Sequence, residues 1–253
     1  MTPENPIALI TGGSRGLGAA TALALADAGA DVVITYRSGE AAARKVVAAV
    51  EARGRRGAAL ALDASDVSSF AAFADALRAA LAAWDRDRFD VLVNNAGTAL
   101  YAPLAAVTEA QVDEVLAVHV KGPLFLTQTL LPLIADGGRI INISSGLTRT
   151  SFAASGGYAA AKAAVEVLTR YMALEFADRG ITANVVAPGA VPTDFGDGHL
   201  RNSPEVQEAV IANTALHRLA TPEDVGQAIA GLALRSGGWI TGQRIEASGG
   251  LRL

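Results

Sequence analysis

A chain of 253 residues with 51% hydrophobic side chains can bury a sizeable core without covalent staples, and with no cysteine it has neither disulfides nor thiolate metal ligands. Its formal net charge of −4 argues against a nucleic-acid partner, which rewards a basic face. No apolar run approaches the roughly 20 residues of a membrane span, and the start, MTPENPIALITGG, has no basic stretch before its apolar one; neither membrane nor signal peptide is expected, and a cytoplasmic location is.

Short apolar runs alternate with segments of helical period. Strands are predicted over 7–11, 31–36, 57–62, 89–94, 138–144, 181–187 and 243–247, and helices over 16–28, 39–53, 66–83, 107–135, 157–178 and 221–234. Buried strands joined by crossover helices make a parallel sheet covered on both faces. No linker or composition shift divides the chain, so the expectation is one α/β domain over 1–253, doubly wound. The long connection at about 190–217 lacks a clear pattern and reads as a substrate loop.

The first strand opens into Gly12-Gly13-Ser14-Arg15-Gly16-Leu17-Gly18 and then an alanine-rich helix. Small residues let the chain turn tightly and let a pyrophosphate reach backbone amides at a helix N-terminus, where the dipole favours anions. The spacing G-x-x-x-G-x-G differs from the usual G-x-G-x-x-G dinucleotide fingerprint, and no Lys-Ser or Lys-Thr pair follows to make a triphosphate loop. Such a turn can be plain punctuation; its place on the first strand of a doubly wound sheet favours a ligand.

The second strand ends at Tyr36-Arg37-Ser38, where an NAD site usually carries a carboxylate for the ribose 2′-hydroxyl. Arg37, together with Arg15 of the glycine loop, suits a 2′-phosphate instead, because guanidinium is a bidentate anion receptor. NADP(H) is therefore favoured over NAD(H), although a loop arginine is also commonly just solvated. Asp63 and Ala64 end the third strand as an edge for an adenine ring. Asn94-Asn95-Ala96-Gly97 ends the fourth, with amides to bond neighbouring strands and small residues to leave room for a ribose; a simple turn reads the same.

The stretch 139–165 carries the chemistry. A buried strand empties into Ser144 and Ser145, a small-residue loop follows, and a helix presents Tyr158 and Lys162 four residues apart, on one face. A hydroxyl facing a phenol beside a cation can hold and move a proton.

Taken together, Thr11-Gly12-x-x-x-Gly16-x-Gly18, Asn94-Asn95-Ala96-Gly97, Ser145, Tyr158-x-x-x-Lys162 and Pro188-Gly189 stand in the order of the short-chain dehydrogenases/reductases, which the chain resembles over essentially its whole length. The resemblance implies a seven-stranded Rossmann-type sheet with helices on both faces, a nicotinamide cofactor, and hydride transfer at a carbonyl or carbinol carbon, 3-oxoacyl groups included. By the family's spacing Ser145, rather than Ser144, is the catalytic hydroxyl that polarises the substrate oxygen. Tyr158 transfers the proton; Lys162 and an oxidised nicotinamide should lower its pKa, and Lys162 also holds the nicotinamide ribose. Pro188, Gly189, Val191 and Thr193 are implied to lie against the carboxamide. The resemblance further suggests a homotetramer, or a homodimer, built on helices 107–135 and 157–178.

Two departures stand out. The family's catalytic asparagine is replaced by His119, in Val118-His119-Val120-Lys121-Gly122. Pro123 cannot serve the carbonyl four residues before it, which is that of His119, so a water on this carbonyl could link Lys162 to solvent, and the imidazole could itself exchange protons near neutrality. Asp136 stands where relatives acting on carrier-bound ketoacyl groups have a basic residue, although Arg179 could supply a second basic contact. Leu147, Phe152, the Gly156-Gly157 pair and His199 are candidates for shaping the substrate site. The readings that compete with a reductase are a non-catalytic NADP(H)-binding regulator and an epimerase or dehydratase on the same fold.

Overall fold

Isoleucine, leucine and valine fill the central strands because both faces of the sheet are covered. In a computed structural model that describes residues 5–235 and 237–253, the strands are β1 (Ile7–Ile10), β2 (Asp31–Tyr36), β3 (Gly57–Ala61), β4 (Phe89–Asn94), β5 (Ile134–Ile143), β6 (Thr182–Pro188) and β7 (Arg244–Ala247). Residues 1–4, part of the stretch on which the reading of the chain's start rests, lie outside the described residues. The strands form one sheet in the order β3-β2-β1-β4-β5-β6-β7, every pair parallel. The helices between them are α1 (Gly16–Asp27), α2 (Glu40–Glu51), α3 (Phe70–Ala82), α4 (Glu109–Leu116), α5 (Gly122–Leu130), α6 (Gly156–Glu175), α7 (Pro204–Ala212) and α8 (Pro222–Ala230). No described helix is long and apolar enough to cross a membrane.

The two-residue period of the strands sorts the core into two layers. Ile7, Leu9, Leu92 and Ile140 face α3, α5 and α6, packing on Phe70, Phe73, Leu77, Leu126 and Met172. Ala8, Ile10, Val93, Ile141 and Ile143 face the other way, onto Leu25 of α1 and Val225 and Ile229 of α8. Each fully buried large side chain contributes about 1.5–3 kcal/mol. Together the two layers hold the carboxyl ends of the strands, and the loops that leave them, in fixed positions.

The structure corrects two boundaries. The helix expected over 107–135 is two helices joined by a π turn at Ala117–Lys121, in which the Gly122 N–H bonds the Ala117 carbonyl. Thr108 starts it with a capping box to Gln111. The extra residue in the turn eases the passage into Pro123, which has no N–H to continue the α ladder. In that register the carbonyl opposite the missing N–H is that of Val118, one residue before the one expected from α spacing. The second boundary is β5, which begins at Ile134 instead of 138: Ile134 pairs with Phe89, and the register then shifts so that Val91 meets Arg139. The inserted residues 135–138 bulge out, a feature that hydrophobic period alone does not signal.

Candidate active site

The chain winds outward from β1 in one direction through β3, and from β4 in the other through β7. A crevice opens where the direction reverses, off the carboxyl ends of β1 and β4, the usual ligand position in such sheets. The glycine loop lines it. Gly12 and Gly16 have φ of +65° and +54°, a region that side chains disfavour, and a Cβ at Gly18 would collide with the Gly12 carbonyl oxygen and come within 2.6 Å of the Asn95 amide nitrogen. Arg15 precedes α1 in extended conformation with no side-chain cap, and the first turn has no acidic residue. The N–H groups at the start of α1 are thus offered to an anion.

Across the crevice the Thr193 side chain lies 3.8 Å from the Cβ position of Gly16, and the Ser14 hydroxyl 3.5 Å from that of Gly39, so the glycine loop touches both the β6 loop and the end of β2. Arg15, Arg37 and Ser38 are exposed at that edge, with Tyr36 half-buried beside them. Leu17 packs against the α1–α8 layer of the core. Asp63 turns its carboxylate onto the Ser65 N–H and hydroxyl, at 2.9 and 2.6 Å, and these contacts together with Arg37 hold it below the usual carboxylate range against the opposing effect of burial. A dinucleotide with a 2′-phosphate fits these residues: free helix N–H groups for its pyrophosphate and two exposed guanidiniums at the ribose end.

The two asparagines make the bonds to neighbouring segments that their amides suggest, and this takes the Asn94 side chain away from the cofactor. The Asn94 side chain points into the core, donating to Asn142 at 2.8 Å and Thr127 at 3.2 Å. Asn95, by contrast, donates to the Thr11 and Gly12 carbonyls at 2.8 and 3.2 Å, while the Thr11 hydroxyl accepts from the Asn95 and Ala96 N–H groups. The asparagine pair therefore ties β4 to β5 and to the glycine loop. Gly189 is required by its neighbour: a Cβ there would lie 2.8 Å from Ser248 Cα, whereas Pro188 ends β6 fully buried and Val191 packs on the α1–α8 layer.

At the end of β5 the two serines part. Ser144 is buried and donates to Glu166 at 2.6 Å, a structural bond. The Ser145 hydroxyl oxygen accepts the Leu147 N–H at 3.2 Å, which fixes its orientation and leaves its own proton to donate. Tyr158, 9% exposed, stands beside it. Lys162 is buried, donates to the Ile143 carbonyl at 2.8 Å, and holds its ammonium 5.6 Å from the centre of the Tyr158 ring. Burial alone pulls the Lys162 pKa down to about 7. Burial, then the neighbouring Tyr101, push the Tyr158 phenol above its ordinary value, with the Ser145 hydroxyl opposing. A phenol lowered by Lys162 is thus not what the protein chain alone provides.

His119 is 2% exposed, and its Nε2 lies 2.7 Å from the Thr98 carbonyl. The same nitrogen lies 3.3 Å from the Thr98 N–H, but the shorter contact is to a carbonyl, which can only accept, and it favours the proton on Nε2; Nδ1 has no partner among the described residues. Burial first, and the Lys162 charge second, bring its pKa down to about 3, with the Thr98 bond opposing. Burial thus favours the neutral imidazole near neutrality, against the proton exchange expected from the sequence. Its ring meets the Tyr158 ring edge-on, centroids 5.3 Å apart at 87°, and a Cβ at Gly97 would come within 2.8 Å of its Cε1.

Sequence reasoning missed two aromatic residues here. Phe195 brings its ring to 5.9 Å from that of Tyr158, and Tyr101 packs on His199 with centroids 5.3 Å apart. Tyr101 follows the fourth strand's loop, and an aromatic residue at a strand's carboxyl end was the available signal. Among the expected substrate residues, Leu147 packs in the cluster around Tyr158, and Gly156 and Gly157 make room for Leu104 and Leu100. Phe152 instead lies under Arg252, 4.5 Å from the guanidinium carbon. Arg179 is committed to Asp136 at 2.8 Å and to the Leu131 and Ile134 carbonyls.

With this geometry the comparisons agree. The sequence model of the family described as enoyl-(acyl carrier protein) reductase matches residues 12–252. An uncharacterized oxidoreductase of Methylorubrum extorquens is 39% identical over 249 residues, 98% of each chain. The hydroxynaphthalene reductase-like protein Arp2 of Metarhizium brunneum is 35% identical, over 96% of this chain and 94% of that one. The crystal structure of the angucycline C-6 ketoreductase LanV with bound NADP superposes with a TM-score of 0.92 at 35% identity, covering 98% of this chain and 95% of that one. The chain belongs to the short-chain dehydrogenase/reductase family and is an NAD(P)-dependent oxidoreductase.

Proposed function

We propose that the protein reduces a ketone to a secondary alcohol with NADPH in preference to NADH. The observation that carries this reading is the convergence of Ser145, Tyr158 and Lys162 at the carboxyl end of β5, beside the glycine loop. NADPH, when bound, supplies the hydride. Ser145 donates a hydrogen bond to the substrate oxygen, keeping its own proton, and polarises the carbonyl. Tyr158, kept protonated by its burial, gives a proton to the same oxygen as the C–O bond becomes single. Lys162 has two N–H donors left after Ile143, enough to hold a ribose hydroxyl and steady the phenol oxygen. The segment 190–217 is the substrate loop in this reading, and residues 1–253 act as one dinucleotide-binding domain.

The NADPH preference is supported by Arg15 and Arg37 at the ribose end and by the NADP-bound relative. Loss of absorbance at the reduced-nicotinamide band, followed with a panel of ketones, tests the activity. NADPH is expected to give the higher kcat/KM, and Arg37→Ala to erase most of that advantage. Equal rates with NADH would remove the cofactor reading, and no turnover of any ketone would remove the reductase reading. We propose also that the protein is cytoplasmic, and that it is a homotetramer; the second reading is supported by exposed Val167, Tyr171 and Leu174 along one face of α6 and Phe125 on α5, and its mass in solution tests it.

A further inference from the structure

The segment after β6 is closed at its ends, for Ala220 donates its N–H to the Ala190 carbonyl at 3.3 Å. Near its start Phe195 lies 5.9 Å from the Tyr158 ring. Its far limb runs through α7, where Gln207 donates to the Leu200 and Arg201 carbonyls at 3.0 and 2.9 Å, and on to residues 213–217. There it meets residues 248–252, the strap that follows β7. Arg252 donates its N–H to the Asn213 carbonyl at 2.9 Å, and Ala215 and Leu216 donate theirs to the Gly250 and Gly249 carbonyls at 3.2 and 3.1 Å. Within the strap the Ser248 hydroxyl accepts the Leu251 N–H at 3.3 Å.

The strap is also held from the loop of Ser145. Arg149 follows the short 3-10 turn Gly146–Thr148, which begins directly after Ser145. Its guanidinium donates to the Leu251 and Arg252 carbonyls at 2.5 and 2.6 Å, and to the two Glu246 oxygens at 2.9 and 3.0 Å. Phe152 of the same loop lies under the Arg252 guanidinium. Arg252 and His217 have φ of +49° and +52°, which residues other than glycine keep where surrounding contacts impose it. Among the described residues no hydrogen bond joins 145–152 directly to 190–217; the strap makes the connection.

From this arrangement, and resting on the reductase reading above, we propose that Arg149 is a positioning residue for the substrate: through the strap it fixes the substrate segment relative to Ser145 and Tyr158. Without the guanidinium the Leu251 and Arg252 carbonyls lose that partner, and the strap can move away from the loop of Ser145 with residues 213–217 attached. Ketone binding then weakens, because the segment that carries Phe195 no longer keeps its distance from Tyr158. NADPH binding does not, because the glycine loop and its bonds to Asn95 are untouched.

Amide hydrogen exchange on the NADPH-loaded protein reads this coupling directly. In Arg149→Met the N–H groups of Ala215, Leu216 and Arg252 should exchange about ten-fold faster or more, the measure of a lost hydrogen bond to a charged group, while those of β1 and β4 keep their rates. With the fastest-reduced ketone of the panel, KM should rise about ten-fold with kcat within about three-fold, and NADPH affinity should stay unchanged. Ser248→Ala frees the Leu251 N–H within the strap, leaves Arg149 and Glu246 in place, and should give the same pattern more weakly. Unmoved exchange at Ala215 and Leu216 in both variants overturns the proposal. So does a fall in kcat at constant KM in Arg149→Met, which would mean that this residue acts on Ser145 through Glu246 and Arg244. Either result leaves the reductase reading intact, whereas failure of the wild type to reduce any ketone overturns that reading and the role of Arg149 with it.

Discussion

The Arg244 guanidinium donates to the carbonyl oxygen of Ser145 at 3.2 Å, from 99 residues away in sequence. Its Nε reaches Glu166 at 2.8 Å and its Nη1 Glu246 at 2.9 Å, while the Nη2 that bonds Ser145 also meets the Thr148 hydroxyl at 3.1 Å. Glu166 in turn accepts from Ser144 and Thr148, and Glu246 from Arg149, which continues to the Leu251 and Arg252 carbonyls. One planar fork therefore joins the loop of Ser145 to α6, β7 and the C-terminal segment. Arg244→Met should lower kcat by about ten-fold or more, because a small misplacement of a reacting group is costly, and should destabilise the fold by about 1–3 kcal/mol through the unpaired Glu166. Arg244→Lys should recover less than half of either loss, since a single ammonium cannot satisfy acceptors arranged for a fork. Steady-state rates and denaturant midpoints measured on both variants decide this, and a lysine variant with full activity would overturn it.

His119 gives a second case in which geometry corrects chemistry. The imidazole is neutral, donates from Nε2 to Thr98 and stacks edge-on to Tyr158. It serves as a positioning residue. His119→Asn, whose amide can still donate, should keep kcat within about ten-fold and leave the pH profile between 6 and 9 unmoved. His119→Ala removes the donor and opens a cavity behind Tyr158, and should cost about 2–4 kcal/mol of stability together with much of kcat. A pH limb that appears in the wild type and vanishes in His119→Asn would show that the imidazole titrates after all.

The pH dependence should come from Lys162. Its pKa is raised or lowered by whatever charge it meets, and here burial brings it down to about 7, so the ammonium is present below that pH and lost above it. kcat/KM for NADPH reports ionisations of the free protein, and should decline as pH rises through about 7. Tyr158 is held above its ordinary value of about 10, so its proton stays available for reduction throughout this range. Alcohol oxidation, which needs the phenolate, should instead rise with pH through 9. Lys162→Arg, with a charge that does not titrate, should abolish the limb near 7; its persistence in that variant would assign the limb elsewhere. Tyr158→Phe should cost about 10²–10⁴ in kcat through loss of the proton donor.

The sheet was legible because its signal is local: each central strand is a short apolar run, and the turn chemistry of the glycine loop is written in consecutive residues. Ser145, Tyr158 and Lys162 were legible for a related reason, since one strand end and one helix face hold all three. What could not be read depends on contacts between distant segments. The Asn94 amide is expected to bond a neighbouring strand, but that its partners are Asn142 and Thr127 depends on strand register and helix packing. The break at Ala117–Lys121 follows from a one-residue change of hydrogen-bond register that leaves the hydrophobic period almost intact. Phe195 is one aromatic in an irregular loop, and only the course of that loop brings it over Tyr158.

Gly18 offers the sharpest check on the cofactor cradle. A methyl group there would run into the Gly12 carbonyl, which is backbone and cannot swing aside, and would crowd the Asn95 amide at 2.6 Å. Asn95 is also the residue that fixes Thr11 and Gly12 relative to β4. Gly18→Ala should therefore push the glycine loop away from the start of α1, spoiling the N–H groups offered to the pyrophosphate, while the core layers on either side of the sheet remain packed. The expected result is NADPH affinity weakened by about ten-fold or more (roughly 1.4 kcal/mol), measured by fluorescence titration, with a thermal midpoint lowered by only a few degrees. Unchanged NADPH binding in a folded Gly18→Ala protein would mean that the dinucleotide does not lie on this loop, and the assignment of the whole crevice would fail with it.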